Sequence, residues 1–183
     1  MEKTLFIFFI LFFNSIAIGS IKENIIKNLI ETKNLSFNFE QNINGKIETG
    51  NCTIEYPKKI FCNYNLSNEK ILISNGKYLV IKTKNGSYYR YPINRTPLNY
   101  ILDKKFLIKE IKTLNERIIE NQYINFTIFR EKNEINLFFD MNNYNLVGWQ
   151  TLDLYQNLNI TYLSSVKKNE ILKKNIFTLP LAH

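Results

Sequence analysis

The chain has 183 residues, a formal net charge of +8, two Cys and a single His. This length fits one domain with a real core. The basic residues are scattered among acidic ones rather than gathered with Gly and aromatics, which excludes a recognisable nucleic-acid motif, and one His with two Cys is too few for a zinc site. Lys, Asn and Ile are enriched together, so the positive charge reads mostly as a bias of the whole sequence, with weak support for acidic partners.

Residues 1–20 read as a cleaved signal peptide. Lys3 supplies a minimal basic end, Leu5 to Phe13 an apolar run, and Ala17 and Gly19 the small residues a signal peptidase requires. The run of about nine residues is too short to span a bilayer, which needs roughly 20. No Cys stands near it to carry a lipid, since the first is Cys52. The expectation is an exported chain of about 160 residues, 21–183, folding as one domain.

Ile21 to Lys33 carries Ile21, Ile25, Ile26, Leu29 and Ile30 at helical spacing. The period then changes to two. Leu35, Phe37, Phe39 and Ile43 alternate with polar residues as in a half-buried strand. Lys46 to Tyr56 and Ile60 to Tyr64 read as strands joined around Pro57, with Asn44-Gly45 able to turn the chain before them. Lys70 to Ser74, Lys77 to Lys82 and Ser87 to Tyr91 are strands about Asn75-Gly76 and Asn85-Gly86, the pair preferred in two-residue type I′ hairpins.

Thr96-Pro97-Leu98 opens a short helix, with Thr as cap, Pro at the first position, and Leu98, Ile101 and Leu102 on one face. Strands resume at 117–120, 122–130, 134–140, 146–155 and 159–165, and a last short strand is expected at Phe177 to Pro180. The fold expected is mainly β (α+β), one long antiparallel sheet. Two modest helices cannot cover so large a sheet, so it either curls on itself or keeps an apolar cavity beneath a helical lid.

No catalytic constellation is present. The sole His is the last residue, His183, and neither H-E-x-x-H, G-x-S-x-G nor a phosphate-cradling Gly loop occurs. No enzyme activity, metal or cofactor is expected. Six N-x-S/T sequons, at Asn51, Asn65, Asn85, Asn94, Asn125 and Asn159, are glycosylation candidates in a eukaryotic secretory protein and chance products in an Asn-rich one. Cys52 and Cys62 lie symmetrically about Pro57 and can face each other across the hairpin, as a disulfide outside the cytoplasm or as two buried thiols.

Several segments together resemble the periplasmic outer-membrane lipoprotein carriers (LolA). Gly50-x-Cys52-x-Ile54-x-Tyr56-Pro57-Lys58-Lys59-Ile60-x-Cys62-Asn63-Tyr64 is similar to that family's Pro-centred hairpin. Phe39-Glu40-Gln41, Ile71 to Lys77, Pro92 to Leu102, Leu146-x-x-Trp149-x-x-x-Asp153 and Phe177-x-x-Pro180 resemble its other pieces in the family's order. The resemblance implies an incomplete antiparallel β-barrel with an α-helical lid over an apolar cavity. It implies a monomeric carrier in the periplasm, with acylated lipoproteins as cargo. Its partners would be an inner-membrane lipoprotein-releasing transporter and an outer-membrane lipoprotein acceptor.

With strand parity, the resemblance makes Phe37, Phe39, Ile54, Tyr56, Ile60, Tyr64, Ile71, Ile73 and Phe138 the cavity candidates, with Cys52 and Cys62 beside them. Lid candidates are Ile25, Leu29, Pro97, Leu98, Ile101 and Leu102. Tyr56 stands where the family often has an Arg that holds the lid by hydrogen bonds, so a weaker Tyr latch is expected. The alternatives are a periplasmic binder of other amphiphiles and a secreted surface or adhesive protein.

Overall fold

The computed structural model describes residues 20–65, 69–130, 133–152 and 156–181. The expected signal peptide, apart from Ser20, lies outside the described residues, as do Asp153, the end of the strand expected to reach 155, and His183.

One sheet of eleven antiparallel strands forms the body: β1 (Asn34–Ile43), β2 (Lys46–Glu55), β3 (Lys59–Tyr64), β4 (Ile71–Asn75), β5 (Tyr78–Lys82), β6 (Tyr88–Pro92), β7 (Arg117–Ile119), β8 (Tyr123–Arg130), β9 (Asn133–Asp140), β10 (Leu146–Leu152) and β11 (Leu158–Lys168). Their spatial order is β6-β5-β4-β3-β2-β1-β11-β10-β9-β8-β7. Each half is a meander, and pairing of β1 with β11 joins the halves. The edges β6 and β7 do not pair with one another, so the sheet is open. The mainly-β expectation holds as one large unclosed antiparallel sheet with a few helices.

The helices follow from that topology. The chain leaves one edge at β6 and re-enters at the other edge, β7, through α2 (Leu98–Ile101) and α3 (Lys104–Thr113). A connection between opposite edges has to cross a face of the sheet, and it crosses the apolar one. Ile101, Leu107 and Ile111 are buried in the same core as Phe37, Phe126 and Phe139. The first helix, α1 (Ile21–Glu31), starts at a capping box between Ser20 and Glu23 and packs against α3. It ends two residues before the expected Lys33. Lys104 Nζ donates to the carbonyls of Ile30 and Thr32 at its C-terminal end, at 3.1 and 2.8 Å.

Four expectations are corrected. A second helix, α3, follows where the sequence reading has only the one opening at Thr96-Pro97-Leu98; Asp103 caps it by accepting from Phe106 N, and Leu107 and Ile111 stand one turn apart. Thr96 does not cap α2; its hydroxyl donates to Ile93 O at 2.8 Å, leaving Pro97 at the cap position. The type I′ turn is Asn44-Gly45, where both residues have positive φ (49° and 86°). At the other two Asn-Gly pairs only the Gly is left-handed. Gly86 N donates to Thr83 O, and Thr83 N to Ser87 O, which makes a type I turn with a Gly bulge.

The fourth concerns Phe177 to Pro180, which form no strand. The chain leaves β11 in mid-sheet, where both neighbouring positions are already taken. It crosses the outer face instead: Lys59 Nζ lies 5.7 Å from the Phe177 ring, Tyr88 Oη donates to Pro180 O, and Lys82 Nζ to Leu181 O.

Candidate functional site

Alternation sorts the strand residues onto two faces. In β2 and β3 the inner set is Cys52, Ile54, Ile60, Cys62 and Tyr64, all buried. Cys52 and Cys62 stand directly opposite in the ladder and are joined by a disulfide. Closing so short a loop contributes roughly 2.5–3 kcal/mol in the chain-entropy account. Phe39, Gly50 and Tyr64 follow across β1, β2 and β3. A Cβ at Gly50 would meet the Phe39 ring at 2.7 Å, so the absence of a side chain there lets Phe39 lie flat against the sheet. Its ring meets Tyr64 edge-on, with centroids 4.9 Å apart.

A pocket of about 240 Å³ opens between this inner face and α2. Of the candidate residues, Phe39, Ile60 and Tyr64 line it together with both Cys, and Pro97, Leu98 and Ile101 roof it. Phe37, Ile54, Leu102, Ile25 and Leu29 belong to the same buried core but do not reach the pocket. Ile71 and Ile73 stand on the opposite face, because Cys62 pairs with Leu72 and brings Leu72 inward. Phe138 likewise pairs with Gly148 on the outer face, while its neighbours Leu137 and Phe139 are buried inside. Leu72, Leu79, Ile81 and Trp149 line the pocket without having been singled out for it. The signal for them is strand register, which becomes readable only when the partner strand is known.

Tyr56 lies beside the roof, its ring 5.8 Å from Lys104 Nζ. Its hydroxyl is buried without a hydrogen-bond partner among the described residues, and burial pushes the phenol pKa up. The expected Tyr56 latch is therefore not formed by a hydrogen bond. The neighbouring Lys58, at φ 63°, makes the tie: its N–H donates to Leu102 O at 2.7 Å and its Nζ lies 3.4 Å from Asp103 Oδ2. The roof is thus held to the β2–β3 turn at the junction of α2 and α3.

At the far end of the strands the pocket turns polar. Tyr64 Oη donates to Gln41 Oε1 and Gln41 Nε2 to Thr161 Oγ1, both at 3.3 Å. Lys70 Nζ sits 3.8 Å from the Tyr64 ring centroid and bonds Glu48, which also receives Lys46 at 2.9 Å. Glu48 is only 3% exposed. Burial alone would raise its pKa; the hydrogen bonds and charges of Lys70 and Lys46 overcome that and hold the carboxyl below its usual value. Tyr64 is pushed upward, by burial first and by the Glu48 charge second.

The family described as "Outer membrane lipoprotein carrier protein LolA" matches residues 31–180. No curated protein sequence matches the chain. Among solved structures, a conserved protein from Thermus thermophilus superposes with a TM-score of 0.51 at 6% identity, over 87% of this chain and 92% of that one. A Vibrio parahaemolyticus domain, provisionally assigned to outer-membrane lipoprotein sorting, gives 0.50 at 8% identity, over 86% and 94%. At such identities the two structures bear on the fold alone.

Proposed function

The chain belongs to the outer membrane lipoprotein carrier (LolA) family, whose members are periplasmic binding and carrier proteins, and from that membership we propose that it shelters the acyl chains of lipoproteins in transit through the periplasm. Residues 1–20 act as the cleaved export signal, and 21–183 as the carrier domain. The protein takes acylated lipoproteins from an inner-membrane releasing transporter and hands them to an outer-membrane acceptor.

The observation that carries this reading is the roofed pocket with Phe39, Ile60, Leu72 and Trp149 in its walls and Leu98 and Ile101 above. Exposed acyl chains cost about 0.8 kcal/mol per methylene in water. A carrier has to remove that cost and still let go. A short roof that docks on the sheet when empty does both, because its own apolar contacts compete with those of the cargo. The α2 roof is one turn long and is tied to the β2–β3 turn chiefly through Lys58.

The direct test adds the purified protein to spheroplasts making a labelled, acylated lipoprotein. The lipoprotein is expected in the soluble fraction, bound to the protein, and Leu98→Asp in the roof reduces the yield. Failure of the unmodified protein to release any lipoprotein would overturn the reading.

A further inference from the structure

The pocket has two chemically different ends. Beneath α2 it is lined by Ile60, Leu98 and Ile101. Tyr64, four residues along β3 and so roughly 13 Å away at strand rise, is hydrogen-bonded to Gln41 and covered by Lys70. Gln41 and Glu48 are direct partners in the β1–β2 ladder, so Gln41, Tyr64, Lys70 and Glu48 form one polar rim. In that rim two ammonium groups, Lys46 and Lys70, share the single carboxylate of Glu48. Glu48 is held ionised, so one positive charge is left over. An ammonium carries three donors, which lets Lys70 hold Glu48 and an incoming anion together.

Size narrows the occupant further. At about 10–15 Å³ of such free space for each water-sized or methylene-sized group, 240 Å³ holds on the order of 16–24 groups. That is about one acyl chain rather than two or three.

We infer that the pocket, in its closed form, binds a single-chain anionic amphiphile, with the anionic head at Lys70 and the tail running beneath α2. This rests on the reading of the pocket as an acyl-chain site and adds a preference for headgroup charge. The shared chemistry is a carboxylate or a phosphate monoester at the end of one alkyl chain.

Trp149, the only Trp in the chain, is in the pocket wall and reports occupancy by its fluorescence. The purified protein is titrated below micelle formation with dodecanoate, dodecyl phosphate and dodecyltrimethylammonium. At least one anion is expected to bind about tenfold more tightly than the cation, the scale of one charge-assisted hydrogen bond. The stronger of the two anions identifies the head as carboxylate or phosphate. Lys70→Gln is expected to shrink the preference to under about threefold, while Lys70→Arg, which keeps the charge and the partner for Glu48, retains it. Equal binding of all three amphiphiles, or a preference that survives Lys70→Gln in a folded protein, overturns the inference and leaves the carrier reading standing. If no amphiphile and no dodecanoyl peptide perturbs Trp149, the carrier reading fails and the inference falls with it.

Discussion

Tyr56 shows how one side chain can be retained for shape while its polar atom has no partner. The ring packs against the core and Lys104, and its buried hydroxyl makes no hydrogen bond among the described residues. An unmade bond at a buried group costs about 1–3 kcal/mol. Tyr56→Phe keeps the ring and removes the hydroxyl, so it is expected to raise stability by about 1 kcal/mol in thermal melts. A lowered melting temperature would mean that the hydroxyl has a partner after all. Glu48 is the opposite case, a buried carboxylate held by two Lys. Its folded pKa lies below the unfolded one. Its contribution to stability is therefore fully present above about pH 4.3 and is lost as pH falls through the depressed folded value. Glu48→Gln should lower the urea midpoint at pH 7 and flatten the decline in stability between neutrality and strong acid. An unchanged acid limb would show that Glu48 does not carry it.

At the scale of elements, the roof depends on a few atoms of the β2–β3 turn and the α2–α3 junction. Asp103 serves twice: Oδ1 caps α3 through Phe106 N, and Oδ2 faces Lys58. The two roles separate by substitution. Asp103→Asn keeps a capping oxygen and loses the ion pair, about 0.2–1 kcal/mol for a pair this exposed. Asp103→Ala loses both, adding about 0.5–2 kcal/mol for the cap. Hydrogen exchange across residues 98–113 should rise modestly in the first variant and strongly in the second. Equal exchange in the two would mean that the cap contributes nothing to holding the roof. These elements were also unequally legible in the sequence. The Pro57 hairpin could be read because both its strands alternate cleanly and its two Cys mark the register. In β4 and β9 runs of apolar residues on both faces hide the parity, so strand parity alone points Ile71, Ile73 and Phe138 inward although Leu72, Leu137 and Phe139 are the inner residues. The polar rim escaped for another reason: Gln41 lies on β1, Glu48 on β2 and Lys70 just before β4, and they look like ordinary surface residues until the sheet brings them together.

For the whole molecule, the open sheet has two apolar faces to manage over part of its width. The inner face is closed by the helices that connect the two edges. On the outer face of β3–β5, Ile73 and Val80 are also buried, at 4% and 0% exposure, yet they stand apart from the core under the helices. The segment following β11 crosses this face, anchored at Lys59, Lys82 and Tyr88. Its place explains how a strand pattern at Phe177 to Pro180 yields no strand: its apolar residues cover a sheet face instead of extending an edge. A chain ending after Glu170 would keep the Glu170–Asn34 hydrogen bonds and uncover Ile73 and Val80. Each side chain is worth about 1.5–3 kcal/mol when fully buried, so the loss should be about 3–6 kcal/mol at most. The urea midpoint measures it, and exposure of a new apolar patch should also increase dye binding and self-association. Because the pocket lies on the other face, Trp149 should still respond to amphiphiles wherever the truncated chain remains folded. An unchanged midpoint would mean that the segment merely rests on the sheet. Loss of the Trp149 response in a folded truncation would couple the two faces, and cargo binding on one side would then depend on the cover of the other.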